Sequence, residues 1–254
     1  MTISLIQTSL AWEDAAANRA NFATLANAIK ETDLIVLPEM FATGFSMNPE
    51  KVAEKTDGLS VQWMQELAAQ KNCAVAGSLV IEEDGSYYNR MFFVFSDKQY
   101  KTYDKRHLFT LAGEDKVYTH GNQKLIVDYK GWKICPFVCY DLRFPVFSRN
   151  SEGYDLLIYS ANWPEVRTLA WDTLLRARAI ENQAYTVGLN RIGQDGNGHN
   201  YVGHSQVVGP LGEYLLEPQE DEVIVTIEID KASQDEIRSK LAFLNDRDSF
   251  ALVP

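Results

Sequence analysis

Two segments of the sequence share a pattern that constrains the fold more than any other feature. Residues 32–39 and 154–162 each contain an aspartate, then a short apolar run, then polar residues at the end. Runs of this length and composition are typical of buried β-strands. The repetition predicts two α/β halves whose strand ends are presented to a shared site.

The other apolar patterns predict strands alternating with helices. We expect strands at residues 3–7, 34–37, 74–81, 91–95, 134–138, 156–160, 184–190, 205–208 and 223–229. We expect helices at residues 18–30, 61–69, 169–182 and 232–244. Residues 103–123 show no period, and compact domains usually keep such long loops for function. No Gly/Ser-rich or Pro-rich linker divides the chain, so we expect a single domain over residues 1–254.

Composition excludes several classes of partner. The formal net charge is −11 with no basic block, which opposes non-specific binding to nucleic acid or to an anionic membrane. The three cysteines, Cys73, Cys135 and Cys139, are odd in number and lack metal-finger spacing. The first residues resemble a strand more than a signal peptide, and no apolar run is long enough to cross a bilayer. We therefore expect a cytoplasmic protein with reduced thiols that binds neither nucleic acid nor membranes.

Cys139 lies where a reactive thiol is expected. It directly follows the apolar run 134–138, and the next residues favour a helix start with Asp141 as a possible cap. Open α/β sheets bind ligands at the carboxyl ends of their strands, and a helix N-terminus favours a thiolate. The alternative is a buried cysteine that only packs.

Two further groups fit chemistry with a thiol. Glu39 follows a strand and has apolar neighbours, including Phe41 and Phe45, so a buried carboxyl group that exchanges a proton is expected there instead of a solvated one. Lys105 lies in the irregular middle, where an ammonium would lower the pKa of a thiol and stabilise an oxyanion. Its alternative is a solvated charge cluster. Glu114 is less specific, because another acidic residue is adjacent.

The ordered trio Glu39, Lys105 and Cys139 resembles the signature of the nitrilase, or carbon-nitrogen hydrolase, superfamily. The resemblance extends through residues 159–164, 176–183 and 190–193, and so covers nearly the whole chain. It implies a four-layer α-β-β-α sandwich within the α/β class. It also implies assembly into homodimers or larger homo-oligomers.

The same resemblance implies a role for each site residue. Glu39 is the expected general base, Lys105 the oxyanion-stabilising cation and Cys139 the nucleophile. Glu114 is expected to support Lys105 and to position the attacking amine or water. The backbone N–H of Tyr140 is expected to share the oxyanion. No metal and no organic cofactor is implied.

The residues after Glu39 resemble the ω-amidase branch in particular, the bacterial 2-oxoglutaramate or 2-oxosuccinamate amidases. This implies hydrolysis of the terminal amide of a small dicarboxylate monoamide through a thioester. The substrate carboxylate would need a guanidinium, and Arg143 and Arg191 are the candidates, each with a structural ion pair as its alternative role. The side chains expected to shape the pocket, unless they only pack in the core, are Phe41, Phe45 and Trp163.

Three other functions are compatible with the sequence. A Cys-His hydrolase would use His107 or His204 as its base. Within the superfamily, hydrolysis of nitriles, carbamoyl compounds or other amides, or acyl transfer, uses the same trio. Outside the enzymes, the alternative is a non-catalytic binding protein with this fold.

Overall fold

The computed structural model describes residues 1–252, and within them two six-stranded sheets form the centre of the molecule. The strands are β1 (Thr2–Gln7), β2 (Leu34–Val36), β3 (Ala74–Glu83), β4 (Ser86–Val94), β5 (Tyr100–Asp104), β6 (Val127–Tyr129), β7 (Trp132–Val138), β8 (Leu156–Ser160), β9 (Tyr185–Leu189), β10 (Ile192–Gln194), β11 (Asn200–Val202), β12 (Gln206–Val208), β13 (Tyr214–Leu216) and β14 (Val223–Glu228). The helices are α1 (Ala15–Asn27), α2 (Pro49–Val52), α3 (Leu59–Lys71), α4 (Pro145–Ser148), α5 (Thr168–Asn182) and α6 (Lys231–Lys240). None of these helices combines the length and the apolar character needed to cross a bilayer.

The two sheets have the same topology. The first has the strand order β14-β1-β2-β3-β4-β5, and the second, read in the same sense, β6-β7-β8-β9-β12-β13. In each, three neighbouring strands are parallel. One strand pairs antiparallel with them on one side, and on the other side two further strands are added by successive antiparallel pairings. The short strands β10 and β11 pair separately. The prediction of two α/β halves is confirmed.

The aspartates of the repeated pattern have equivalent structural roles. Asp33 precedes the middle strand β2 and accepts the backbone N–H of Thr2, at the start of β1, at 2.8 Å. Asp155 precedes the middle strand β8 and accepts the backbone N–H of Lys133, in β7, at 2.9 Å. Each carboxylate therefore satisfies a backbone donor of the neighbouring strand, which explains why the same residue type begins both segments.

Apolar side chains alternate between the two faces of the first sheet and create the layers. Leu34 and Val36 point into a core that also contains Ile134 and Phe137 of the second sheet. Ile35 and its alternating neighbours on other strands point the other way, into a core shared with α1 and α3. Helix α5 covers the outer face of the second sheet. The expected four-layer α-β-β-α sandwich is confirmed.

The strand and helix boundaries differ modestly from the expected ones. Helix α1 begins at Ala15, three residues early, because the carboxylate of Asp14 accepts the N–H of Ala17 and caps the helix there. Strand β4 begins at Ser86 because a tight turn joins it to β3. The sequence did not predict the short strands β5, β6, β10, β11 and β13, which carry too few residues to show a period.

Candidate active site

The middle strands of the two sheets end at one point. Glu39 lies three residues after β2, and Asn162 lies two residues after β8. The backbone N–H of Asn162 donates to Glu39 Oε2 at 2.9 Å, and Asn162 Nδ2 donates to the backbone carbonyl of Glu39 at 2.6 Å. The two halves are therefore joined directly at the carboxylate.

Lys105 lies between two buried carboxylates. Its Nζ is 2.9 Å from Glu39 Oε1, and 3.0 and 2.9 Å from the two carboxylate oxygens of Glu114. Burial alone would lower the pKa of Lys105, but Glu114 and then Glu39 outweigh it and raise the pKa above its usual value. Burial raises the pKa of Glu114, against the opposing effect of Lys105. The ammonium is thus the stable form of Lys105.

Asn89, on β4, also belongs to this cluster, and no pattern in the sequence predicted it. Its Nδ2 donates to Glu39 Oε1 at 2.8 Å and to Glu114 Oε1 at 3.2 Å. The Ser78 hydroxyl donates to Asn89 Oδ1 at 2.8 Å, which fixes the amide with its NH₂ group toward the carboxylates. The sequence carries only one signal for Asn89, which is a single amide residue in a strand whose later residues are mostly apolar.

Cys139 directly follows β7 and begins a five-residue 3-10 helix, Cys139–Arg143. Its φ angle is +44°, in the left-handed region that non-glycine residues rarely adopt. The Sγ atom is 3.9 Å from the backbone carbonyl oxygen of Asn162. Strained backbone of this kind often occurs at functional positions, where it directs one side chain out of a turn.

Cys139 is more stable as a thiol, although a helix start after it was expected to favour the thiolate. Burial raises the pKa of the thiol well above its usual value, and the charge of Glu39 raises it further, whereas Lys105 lowers it. The helix that was expected to stabilise a thiolate is only a short 3-10 turn, which supplies little dipole. At neutral pH the sulfur therefore carries its proton and requires a base.

Asp141 caps the 3-10 turn from within it. Its Oδ2 accepts the backbone N–H of Val138 at 3.1 Å and the hydroxyl of Tyr103 at 2.7 Å. Its Oδ1 accepts the backbone N–H of His107 at 3.0 Å and lies 2.7 Å from the Nδ1 of that ring. His107 is thereby engaged away from the thiol, and His204 contacts Asp172 instead.

Replacing Cys139 by glycine should give a more stable protein than replacing it by alanine. Glycine adopts a positive φ without the steric cost that a Cβ atom causes, so we expect a difference of about 0.5–1 kcal/mol in the free energy of unfolding. Urea unfolding of both variants measures it. An alanine variant more stable than the glycine variant by about 0.4–1 kcal/mol, the difference expected from the entropy of the unfolded chain alone, would show that the backbone stores no strain there.

A cavity of about 640 Å³ opens onto the thiol, a size that accommodates a small molecule. Of the predicted residues, it is lined by Phe45, Lys105, Cys139, Tyr140, Arg143 and Trp163. The Nζ of Lys105 lies 5.2 Å from the centre of the Phe45 ring. The histidine that lines this cavity is His199; His107 and His204 do not. Within residues 1–252, no group of three or more His, Cys, Asp or Glu side chains could hold a metal ion.

Phe41 does not line the cavity, so the prediction that it shapes the pocket is wrong. The chain reverses at Met40, whose φ is +44°, and this sends Phe41 to the opposite side of the first sheet. There its ring packs edge-on against Phe22 and lies 5.6 Å from Trp63. Phe41 instead packs in the hydrophobic core, which was the alternative role expected for it.

The candidate arginines differ in their surroundings. Arg143 lines the cavity with its guanidinium 4.9 Å from the centre of the Trp163 ring, and it has no hydrogen bond or ion pair within residues 1–252. Arg191 is buried and donates to the backbone carbonyls of Leu10, Ile192 and Gln194, so its role is structural. Arg167, which the sequence analysis did not single out, also lines the cavity.

Comparison with known proteins agrees with this geometry. A sequence model described as carbon-nitrogen hydrolase matches residues 2–239. The chain belongs to the carbon-nitrogen hydrolase family. It is 44% identical to the omega-amidase YafV of Escherichia coli (strain K12), over 99% of this chain and 98% of that protein. It is 33% identical to the 2-oxoglutaramate amidase of Bacillus subtilis (strain 168), over 96% of each.

A solved structure is also very similar to this carbon-nitrogen hydrolase. A CN-hydrolase superfamily protein from Xanthomonas campestris, crystallised with an arsenic adduct in its active site, is 42% identical and superposes with a TM-score of 0.98. The match covers 100% of this chain and 99% of that one. The resemblance predicted from the trio is therefore confirmed for both family and fold.

Proposed function

We propose that this carbon-nitrogen hydrolase is an ω-amidase that releases ammonia from the terminal amide of small dicarboxylate monoamides such as 2-oxoglutaramate or 2-oxosuccinamate. The observation that carries the proposal is one cavity that contains both the thiol of Cys139 and the guanidinium of Arg143, which has no ion-pair partner within residues 1–252. Two relatives are an omega-amidase and a 2-oxoglutaramate amidase, and this similarity supports dicarboxylate monoamides as the substrate class.

In the first half of the reaction, Cys139 becomes acylated. Glu39 takes the thiol proton as the sulfur attacks the amide carbon, and the carbonyl π electrons move to oxygen. Lys105 and the backbone N–H of Tyr140 stabilise this oxyanion. The oxyanion then re-forms the carbonyl, Glu39 returns its proton to the nitrogen, the C–N bond breaks and ammonia leaves. The product is a thioester on Cys139.

In the second half, water hydrolyses the thioester. Glu39 takes a proton from the water as its oxygen attacks the thioester carbon, and Glu114 positions this water. When the tetrahedral intermediate collapses, the C–S bond breaks and the sulfur recovers its proton from Glu39. The new carboxyl group leaves with the second proton of the water and ionises in solution, where the released ammonia takes up that proton, and the enzyme returns to its starting protonation state.

The raised pKa of Cys139 agrees with this sequence of proton transfers. A thiol that is protonated at rest needs a base beside it, and Glu39 is the carboxylate whose charge acts on that thiol and raises its pKa. Lys105 holds Glu39 at 2.9 Å and so keeps the carboxylate oriented throughout. The base, not a resting thiolate, then makes the sulfur nucleophilic.

Replacing Arg143 by methionine should weaken binding of the substrate carboxylate. Charge-assisted hydrogen bonds contribute about 1.5–3 kcal/mol, so kcat/KM for succinamate is expected to fall by about 10- to 100-fold, mostly through KM. Butyramide, which has no carboxylate, should show a much smaller loss. Steady-state ammonia release with both amides measures this. Equal losses on both would argue that Arg143 only supports the fold.

The alternatives within the family are separated by a substrate panel. Ammonia release is measured from dicarboxylate monoamides, simple amides, nitriles and carbamoyl compounds, with Cys139→Ala as the control. Highest turnover on the monoamides supports the proposal; high activity only elsewhere contradicts it.

A Cys-His mechanism predicts that His107→Ala/His204→Ala is inactive, whereas we expect turnover to persist. A non-catalytic protein would show no activity on any of them.

We also propose that the enzyme acts in the cytoplasm as a homodimer or larger homo-oligomer. Three free cysteines support the cytoplasmic location. Apolar side chains that are exposed on α4 and α5, at Val146, Leu169 and Ile180, support the assembly. Burying these side chains against a second copy would stabilise an assembly. Light scattering coupled to gel filtration measures the mass in solution, and a monomer at micromolar concentration would contradict this part.

A further inference from the structure

Arg167 is held at the wall of the cavity by its backbone. It ends a 3-10 turn, Glu165–Arg167, between β8 and α5. Its N–H donates to the carbonyl of Pro164 at 3.0 Å, and its own carbonyl accepts from Trp163 Nε1 at 2.8 Å. Trp163 is also the ring beneath the guanidinium of Arg143. The indole of Trp163 therefore supports both arginines: its face lies against the guanidinium of Arg143, and its N–H binds the backbone carbonyl of Arg167.

The guanidinium of Arg167 lies over an aromatic ring, and no acceptor within residues 1–252 binds it. Its central carbon is 5.1 Å from the centre of the Phe109 ring, and within residues 1–252 the side chain makes no hydrogen bond or ion pair. Stacking on a ring orients a guanidinium through its face and leaves the N–H groups at its edge free to donate. Arg143 is held in the same way over Trp163.

The other charged side chains of the cavity already have partners. Lys105 contacts its two glutamates. Glu13 accepts from Lys51 Nζ at 2.5 Å, and Asp195 accepts from the Tyr201 hydroxyl at 2.8 Å and from backbone N–H groups. Among the residues that the structure describes, the two arginines are therefore the positive charges of the cavity that contact no carboxylate, and they leave it suited to an anionic ligand group.

We propose that Arg167 is a specificity-determining residue that, together with Arg143, binds the 2-oxo acid end of the substrate. This inference rests on the proposed ω-amidase function. A carboxylate and an adjacent oxo group present three acceptor oxygens, which suits two guanidiniums better than one. An ammonium at the oxo position, as in asparagine, would lie against positive charge. Arg167 therefore favours 2-oxo amides and disfavours 2-amino amides.

The test compares Arg167→Met with the unchanged enzyme on 2-oxosuccinamate, succinamate, asparagine and butyramide. We expect kcat/KM for 2-oxosuccinamate to fall by about 10- to 100-fold, mostly through KM, with a smaller loss on succinamate and the smallest on butyramide. The preference for 2-oxosuccinamate over asparagine should fall by a similar factor. Arg167→Lys should recover part of the loss, because it restores the charge but not the bidentate geometry.

Arg176 provides a matched control. Its guanidinium lies 5.1 Å from the centre of the Tyr214 ring, in the same kind of stack, but it is exposed and outside the cavity. Arg176→Met should keep the kinetics of the unchanged enzyme. Urea unfolding of each variant checks that the fold is retained.

Hydrolysis by the unchanged enzyme tests the proposed function, and the change caused by Arg167→Met tests the role of Arg167. If the unchanged enzyme hydrolyses 2-oxosuccinamate and Arg167→Met loses the same factor on all amides, or nothing, the inference alone is wrong. If the unchanged enzyme hydrolyses neither monoamide, the proposed function is wrong. In that case, titration of 2-oxoglutarate into Cys139→Ala with and without Arg167→Met still tests the inference. An at least about 10-fold weaker affinity supports it, and equal affinity overturns it.

Discussion

Replacing Cys139 by alanine is expected to reduce ammonia release by at least about 10⁴-fold while the protein stays folded. The alanine removes the sulfur that forms the thioester and leaves Glu39 and Lys105 with no nucleophile to activate. The side chain is small, so its loss leaves only a minor cavity. Steady-state ammonia release and urea unfolding measure the two effects separately.

Cys73→Ala is the matched control for this loss. Cys73 is also buried, and burial raises the pKa of its thiol to about 11, but it packs between the first sheet and its helices. Its replacement should cost some stability and leave turnover per folded molecule unchanged. Retention of more than a few per cent of activity in Cys139→Ala would contradict the assignment of the nucleophile.

Replacing Lys105 by methionine is expected to destabilise the protein by about 3–5 kcal/mol and to abolish activity. The reason is that Glu39 and Glu114 are fully buried, and each lies within 3.0 Å of the ammonium. Without Lys105 two carboxylates would face each other in a medium of low dielectric constant. Urea unfolding at neutral pH measures the cost.

The deficit of Lys105→Met should depend on pH in a defined direction. Burial already raises the pKa of Glu114, and losing the cation raises it further. A carboxyl group whose pKa is higher in the folded than in the unfolded state destabilises the fold once the unfolded form ionises. The deficit is therefore largest above that point, at neutral pH, and shrinks as the pH falls toward about 4–5, where Glu114 is protonated in both the folded and the unfolded state.

Two other variants make this result specific. Lys105→Met/Glu114→Gln removes one of the two facing charges and should recover part of the stability but no activity. Lys124→Met breaks a 2.9 Å ion pair with Glu152, which is about one-third exposed, and such pairs contribute about 0–1 kcal/mol. If Lys105→Met were no less stable than Lys124→Met, the buried cluster would not be charged as described.

The sequence predicted those site residues that belong to short local patterns. Glu39 and Cys139 each follow an apolar strand, and the repeated Asp-led segment indicated that such ends would meet. Direct hydrogen bonds between Glu39 and Asn162 join those ends in the structure. Local pattern was sufficient here because the middle strands of the two packed sheets end side by side, one from each sheet.

Other features depend on conformation and could not be predicted from a local pattern. The direction of Phe41 follows from the positive φ at Met40, which no residue type at that position signals. Asn89 joins the cluster because β4 lies beside β3, 50 residues after Glu39. The pKa of Cys139 depends on how deeply the thiol is buried and on the nearby charge of Glu39. Arg167 lies three residues beyond a segment that resembles the family, and only its position in the cavity indicates a role for it.

The most direct test of the account is the mass of the enzyme stopped with acid during turnover of succinamate or 2-oxosuccinamate. We expect an adduct equal to the substrate minus ammonia, carried by the peptide that contains Cys139 and lost on treatment with hydroxylamine. The adduct should be absent from Cys139→Ala. Ammonia release at full rate with no adduct by rapid quenching, or an adduct on any other residue, would contradict thioester catalysis by Cys139.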